Sequence, residues 1–72
     1  MIVVKNPELL KQDLTSNGNS MTSIADKLGY SKAYISSIVS GARNPNSKAA
    51  IGICELLKKQ FENYFFIDFV NK

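Results

Sequence analysis

The sequence has no histidine and no tryptophan, and it has one cysteine. Without histidine it lacks the side chain best suited to proton transfer near neutral pH, which is also the commonest metal ligand. One cysteine, Cys54, excludes a disulfide framework within the chain, and the remaining carboxylates show no metal-ligand spacing. Cys54 lies in the apolar run IGICELL, where a thiol packs as a small hydrophobe, and a reducing cytoplasm is the simplest home. No glycine-rich phosphate loop is present. No apolar run approaches the roughly 20 residues that span a bilayer. The start, MIVVKNPELL, lacks the apolar stretch and cleavage site of a secretory signal. These absences predict a protein that is not an enzyme, holds no cofactor or metal, and does not enter a membrane.

Acid is also missing from one stretch. Between Lys27 and Lys48 the charged residues are Lys27, Lys32, Arg43 and Lys48, while Glu55, Glu62 and Asp68 all come later. The net charge of +3 is a modest bias toward anionic partners, and its distribution says more than its size.

The 72 residues form one domain, residues 1–72, with 44% hydrophobic and 21% charged side chains, a globular balance. A chain this short buries only about 60% of its unfolded surface, so its core must be economical. The run Ile2–Val4 is β-prone. Asn6, Pro7 and Glu8 supply a cap, a first-turn proline and a first-turn acid, and Leu9, Leu10 and Leu14 form an apolar stripe. This predicts a helix of about ten residues, stopped by Asn17-Gly18-Asn19. Ser20 or Thr22 caps a second helix with Met21, Ile24, Ala25 and Leu28 inward and Gly29 at its end. Ser31 caps a third, with Ile35 and Ile38 inward and Gly41 as its stop. A fourth, from about Ser47 to Lys59, is apolar around most of its circumference and is expected to be the central buried helix, with Gly52 marking a close neighbour. Phe61 to Phe65 suits a last helical turn. FFIDFV, residues 65–70, reads as a strand whose alternation sets Phe65, Ile67 and Phe69 against Phe66, Asp68 and Val70. Pairing of this strand with Ile2–Val4 is expected, with one face toward the core and the other available to a second subunit.

Ala25, Gly29, Ile35 and Ile38 stand at i, i+4, i+10 and i+13. A small residue lets two short helices cross closely, glycine makes the turn, and the isoleucines lock the second helix while its other side stays exposed. Such a helix fits a DNA major groove about 12 Å wide.

The segment SMTSIADKLGYSKAYISSIVSGARNPN resembles the helix-turn-helix of the lambda-repressor-like, Cro-type DNA-binding family, with the motif at about residues 20–40. The resemblance implies a mainly α, five-helix domain, here with a small terminal β pairing. It also implies a DNA-binding transcriptional regulator, a repressor in a phage or mobile-element switch, working in the cytoplasm of a bacterial host. Lys32, Ala33 and Tyr34 would face bases, with Ser36 and Ser37 further along that face. Ser31 would bind phosphate as well as cap its helix. Arg43 and Asn44, with Lys48, would touch the backbone. The expected partners are a double-stranded operator and a second copy of the chain. The alternative is an antirepressor or antitoxin-like protein that docks on a partner repressor or toxin through the same surface, with Tyr34 as anchor. Two departures stand out. Met21 occupies a place where many family members have glutamine, and the third helix offers no glutamine, asparagine or arginine for bidentate base reading.

Overall fold

The computed structural model describes residues 1–16 and 18–69. Among them the order is β1 (Ile2–Val4), α1 (Pro7–Thr15), α2 (Met21–Leu28), α3 (Lys32–Val39), α4 (Ser47–Leu57), a 3-10 turn (Phe61–Asn63) and β2 (Phe65–Ile67).

Each helix begins where a side-chain oxygen meets free amides. Asn6 accepts from the Leu9 amide at 3.2 Å, Ser20 from Ser23 at 3.1 Å, Ser31 from Tyr34 at 3.1 Å and Asn46 from Ala49 at 2.8 Å. Ser20, not Thr22, therefore starts α2. Gly29 ends it in the left-handed region at φ 79°, and the Tyr30 amide returns to the Ala25 carbonyl at 2.9 Å. Asn17, expected in the stop after α1, lies outside the described residues.

The core takes Leu10 and Leu14 from α1, Ile24 and Ala25 from α2, Ile35, Ile38 and Val39 from α3, and Ala49, Ala50, Ile53 and Cys54 from α4. Val4, Tyr64 and Phe65 close it from the terminal segments. Leu9, expected in the stripe of α1, is 39% exposed because burial at i and i+4 falls on Leu10 and Leu14. Burial of Cys54 pushes its thiol pKa up, as an inert core thiol requires.

Three expectations need correction. The described residues contain four α-helices, not five. Only the single 3-10 turn at Phe61–Asn63 follows α4, because Phe65 is drawn fully into the core and its strand pairs at once with β1. Secondly, α4 is not buried all round. Ile51 is 52% exposed, since a chain this small has no second layer to cover the outer face. The helix also stops at Leu57, and Lys58 takes a left-handed cap at φ 57°. Thirdly, the second strand spans Phe65–Ile67 only. Phe69 is 80% exposed, and Val70 lies outside the described residues.

The terminal pairing itself is present. The strands run antiparallel with Ile2 opposite Ile67, Val3 opposite Phe66 and Val4 opposite Phe65. Bonds from the Lys5 amide to the Tyr64 carbonyl (2.8 Å) and from the Asp68 amide to the Met1 carbonyl (2.7 Å) extend it. Gly52 does mark a close neighbour: a Cβ built there would stand 3.0 Å from the Leu28 side chain. The buried Tyr64 hydroxyl donates to the Asp13 carboxylate, tying the end of the chain to α1.

Two outcomes follow. Ala25→Leu is expected to destabilise the domain by about 1–3 kcal/mol through overpacking at the α2–α3 crossing. That would lower the thermal midpoint by roughly 4–8 °C per kcal/mol, and an unchanged midpoint would refute the crossing. The Tyr64 pKa is pushed up to about 12, first by burial and then by the hydrogen bond to Asp13 and its negative charge. Its neutral form is therefore favoured by folding. That contribution is complete below pH ~10, the ordinary tyrosine value, and is lost as pH rises through about 12. The stability difference between the parent and Tyr64→Phe should shrink over that window. A difference independent of pH up to 12 would contradict it.

Candidate nucleic-acid interface

The α2–α3 pair presents one end and one ridge of α3 to solvent. Ser31, Lys32 and Ala33 are exposed at its start. Ala33, Ser36, Ser37 and Ser40 stand at i, i+3, i+4 and i+7, so they share one ridge opposite the buried Ile35 and Ile38. Ser36 and Ser37 are only half exposed. The Ser37 hydroxyl donates to the Tyr34 carbonyl at 2.8 Å, and the Ser40 hydroxyl to the Ser37 carbonyl at 3.1 Å. Ser36 and Ser40 border a hollow shared with Lys11, Met21 and Val39. Lys11 thus brings a cation from α1 to the edge of the ridge. Nothing local to the motif announces it, because it lies 25 positions before Ser36.

The loop after α3 is folded back onto it. The amides of Ala42 and Arg43 both donate to the Ser37 carbonyl, at 2.9 and 3.1 Å. This sets the Arg43 guanidinium over the Tyr34 ring, 5.6 Å from its centroid. Tyr34 also stacks on Tyr30, with centroids 4.8 Å apart and a 32° tilt. Tyr34 is half-buried, so it serves as a platform for Arg43 more than as a free probe. Its hydroxyl accepts from the Asn46 amide at 3.3 Å, while the Tyr30 hydroxyl donates to the Asn46 side chain at the same distance. Asn46 therefore joins the turn before α3, α3 itself and the start of α4. Its only signal in the sequence is its place before the fourth helix.

The structure brings Ser31, Lys32 and Ala33 together at one end of α3. It places Tyr34, Arg43 and Asn46 together at its flank, with Asn44 exposed in the adjoining loop. Lys48 stands apart. It borders a different hollow, with Lys27, Leu28, Ile51, Gly52 and Glu55. Met21, the first residue of α2, is half-buried against the core.

A sequence profile described as helix-turn-helix matches residues 10–62, well over half of the chain. The protein belongs to the lambda-repressor-like, Cro-type helix-turn-helix family. That family is one of DNA-binding transcriptional regulators, which fits an acid-free third helix and following loop on a basic chain. A search of curated proteins finds no significant match. No helix among the described residues is long and apolar enough to cross a membrane. In this helix-turn-helix protein the N-terminal end of α3 joins a free amide end, a serine and a lysine, which suits phosphate and base-edge acceptors.

Asn46→Ala should cost about 1 kcal/mol as a lost helix cap. It should also release Tyr30 and Tyr34, which tyrosine fluorescence or ring-proton shifts would report. Unchanged stability together with unchanged tyrosine signals would show that Asn46 joins nothing.

Proposed function

We propose that the chain is a sequence-specific DNA-binding repressor of the Cro kind, serving a phage or mobile-element genetic switch. The observation that supports this best is the exposed start of α3, flanked by an Arg43 held in place over Tyr34. Lys32 would contact guanine O6 or N7, and Ala33 a thymine methyl. Ser31, Arg43 and Asn44 would meet phosphates, with Lys11 and Lys48 adding charge at the margins. The ridge beyond Ala33 carries only short serines, so base reading is sparse and phosphate contacts would supply most of the affinity. Two copies on half-sites one helical turn apart would double both contributions. The alternative, docking on a partner repressor or toxin, leans on Tyr34 as an anchor. Its ring is engaged by Tyr30 and Arg43, which favours the DNA reading.

The test is titration against DNA from the chain's own promoter region at several salt concentrations. Lys32→Ala should relax sequence preference and cost roughly 1–3 kcal/mol on the operator. Arg43→Ala should weaken binding to all sequences alike and lower the salt slope by about one unit. Parent-like affinity in both variants would refute the assignment. Binding to a neighbouring gene's protein but to no DNA would favour the alternative.

A further inference from the structure

The exposed start of α3 leads into Tyr34, whose side chain is already engaged within the chain. Its ring is half-buried and packs on Tyr30, with centroids 4.8 Å apart. Its hydroxyl accepts from the Asn46 amide at 3.3 Å. What the ring offers is a bed for Arg43, whose guanidinium carbon lies 5.6 Å from its centroid. The loop that carries Arg43 is pinned to α3 on both sides of that residue. The Ala42 and Arg43 amides donate to the Ser37 carbonyl, and three residues later the Asn46 amide reaches the Tyr34 hydroxyl. Between them Pro45 is buried, and its ring fixes its own φ and holds Asn44 toward extended backbone. The root of the Arg43 side chain is therefore fixed by the loop, and its far end is restrained by the ring.

The way the guanidinium is held matters for what it can bind. No acid stands between Lys27 and Lys48, so within this stretch a neutral ring, and not a carboxylate, orients it. An ion pair would spend both charge and N–H donors. Contact with a ring leaves the positive charge and the planar fork available to two oxygens of a phosphate. A long side chain restrained beforehand also loses less rotamer freedom when it meets its ligand.

We infer that Tyr34 is a positioning residue for DNA binding: its ring holds Arg43 ready for a backbone phosphate, and Tyr34 itself touches no base. This role rests on the DNA-binding reading above and deepens it. It moves Tyr34 from the base-facing set to the support of a phosphate contact. It also makes the ring, and not the hydroxyl, the part that DNA binding depends on. Tyr34 and Arg43 then act as one unit, so removing either removes the same contact.

The test is a double-mutant cycle read by salt titration of the full chain, with thermal melts to verify that each variant folds. The probes are a duplex from the chain's own promoter region and a duplex of unrelated sequence. Tyr34→Leu should lower the salt slope by about one unit for each bound chain, as Arg43→Ala does, on both duplexes alike. Each should weaken binding about fivefold at about 0.15 M salt, the counterion contribution of one phosphate contact. Tyr34→Leu/Arg43→Ala should be no weaker than either single variant, within about twofold. Tyr34→Phe should keep the parent slope, a rescue that a merely structural role for the hydroxyl bond does not predict. Tyr34→Met takes the place of Tyr34→Leu if the latter does not fold. In the parent without DNA, the Arg43 δ-methylene protons should be shifted upfield by the Tyr34 ring current. Unshifted protons overturn the proposal whatever the variants do. So do additive losses in the double variant, an unchanged slope in Tyr34→Leu, or a Tyr34→Phe that behaves like Tyr34→Leu. Sequence preference relaxed by Tyr34→Leu but not by Arg43→Ala also overturns it, since it would show base contact. In all these cases a parent that binds its promoter duplex leaves the function above standing. A parent that binds neither duplex refutes that function and this role with it.

Discussion

Ala25 is 2% exposed on α2, the helix against which α3 packs, so a larger side chain there has little room. That close crossing fixes where everything else lies. It needs Gly29 to turn the chain at a positive φ, and it needs Ile35 and Ile38 to face inward with no exposed area. With those positions committed, the opposite side of α3 is exposed by geometry and not by composition. The face proposed to read DNA is what remains after the core has taken its share.

The loop beyond α3 illustrates how a short chain secures an exposed side chain without burying it. Arg43 gains its position from backbone bonds to the Ser37 carbonyl and from the ring beneath it. That ring is held by Tyr30 and by Asn46, which also caps the next helix. Three small interactions converge on one asparagine, so helix stability and guanidinium placement draw on the same residue. In a domain with only a few kcal/mol of net stability, such sharing is economical but leaves each contact exposed to single substitutions.

Much of this was legible in the sequence because the determinants are local. Caps at Asn6 and Ser31, the turn at Gly29 and the inward isoleucines follow from spacing within a helical turn or two. The strand pairing was legible for another reason: two β-prone runs, each with unpaired backbone groups, had only one another. What could not be read depended on contacts between distant residues. The Tyr64–Asp13 bond spans 51 positions, and the approach of Lys11 to α3 needs the angle between two helices. The exposure of Ile51 was hidden because an apolar run shows that a helix is greasy but not which side lacks a neighbour. The fifth helix failed because Phe65 had a better position in the core than a further helical turn could offer. The roles proposed for Lys32, Ala33 and Arg43 come from their resemblance to a family, while their placement comes from the fold.

The pairing of Ile2 with Ile67 has a consequence for how the protein comes into being. Closing a loop of some sixty residues costs on the order of 3–4 kcal/mol of chain entropy, a cost incurred before any strand contact can repay it. The helix pair, by contrast, joins segments only a few residues apart, so bringing it together costs far less chain entropy. The strand pairing is thus the contact of greatest sequence separation in the sheet and core, and on topology alone it is expected to form after the helices have met.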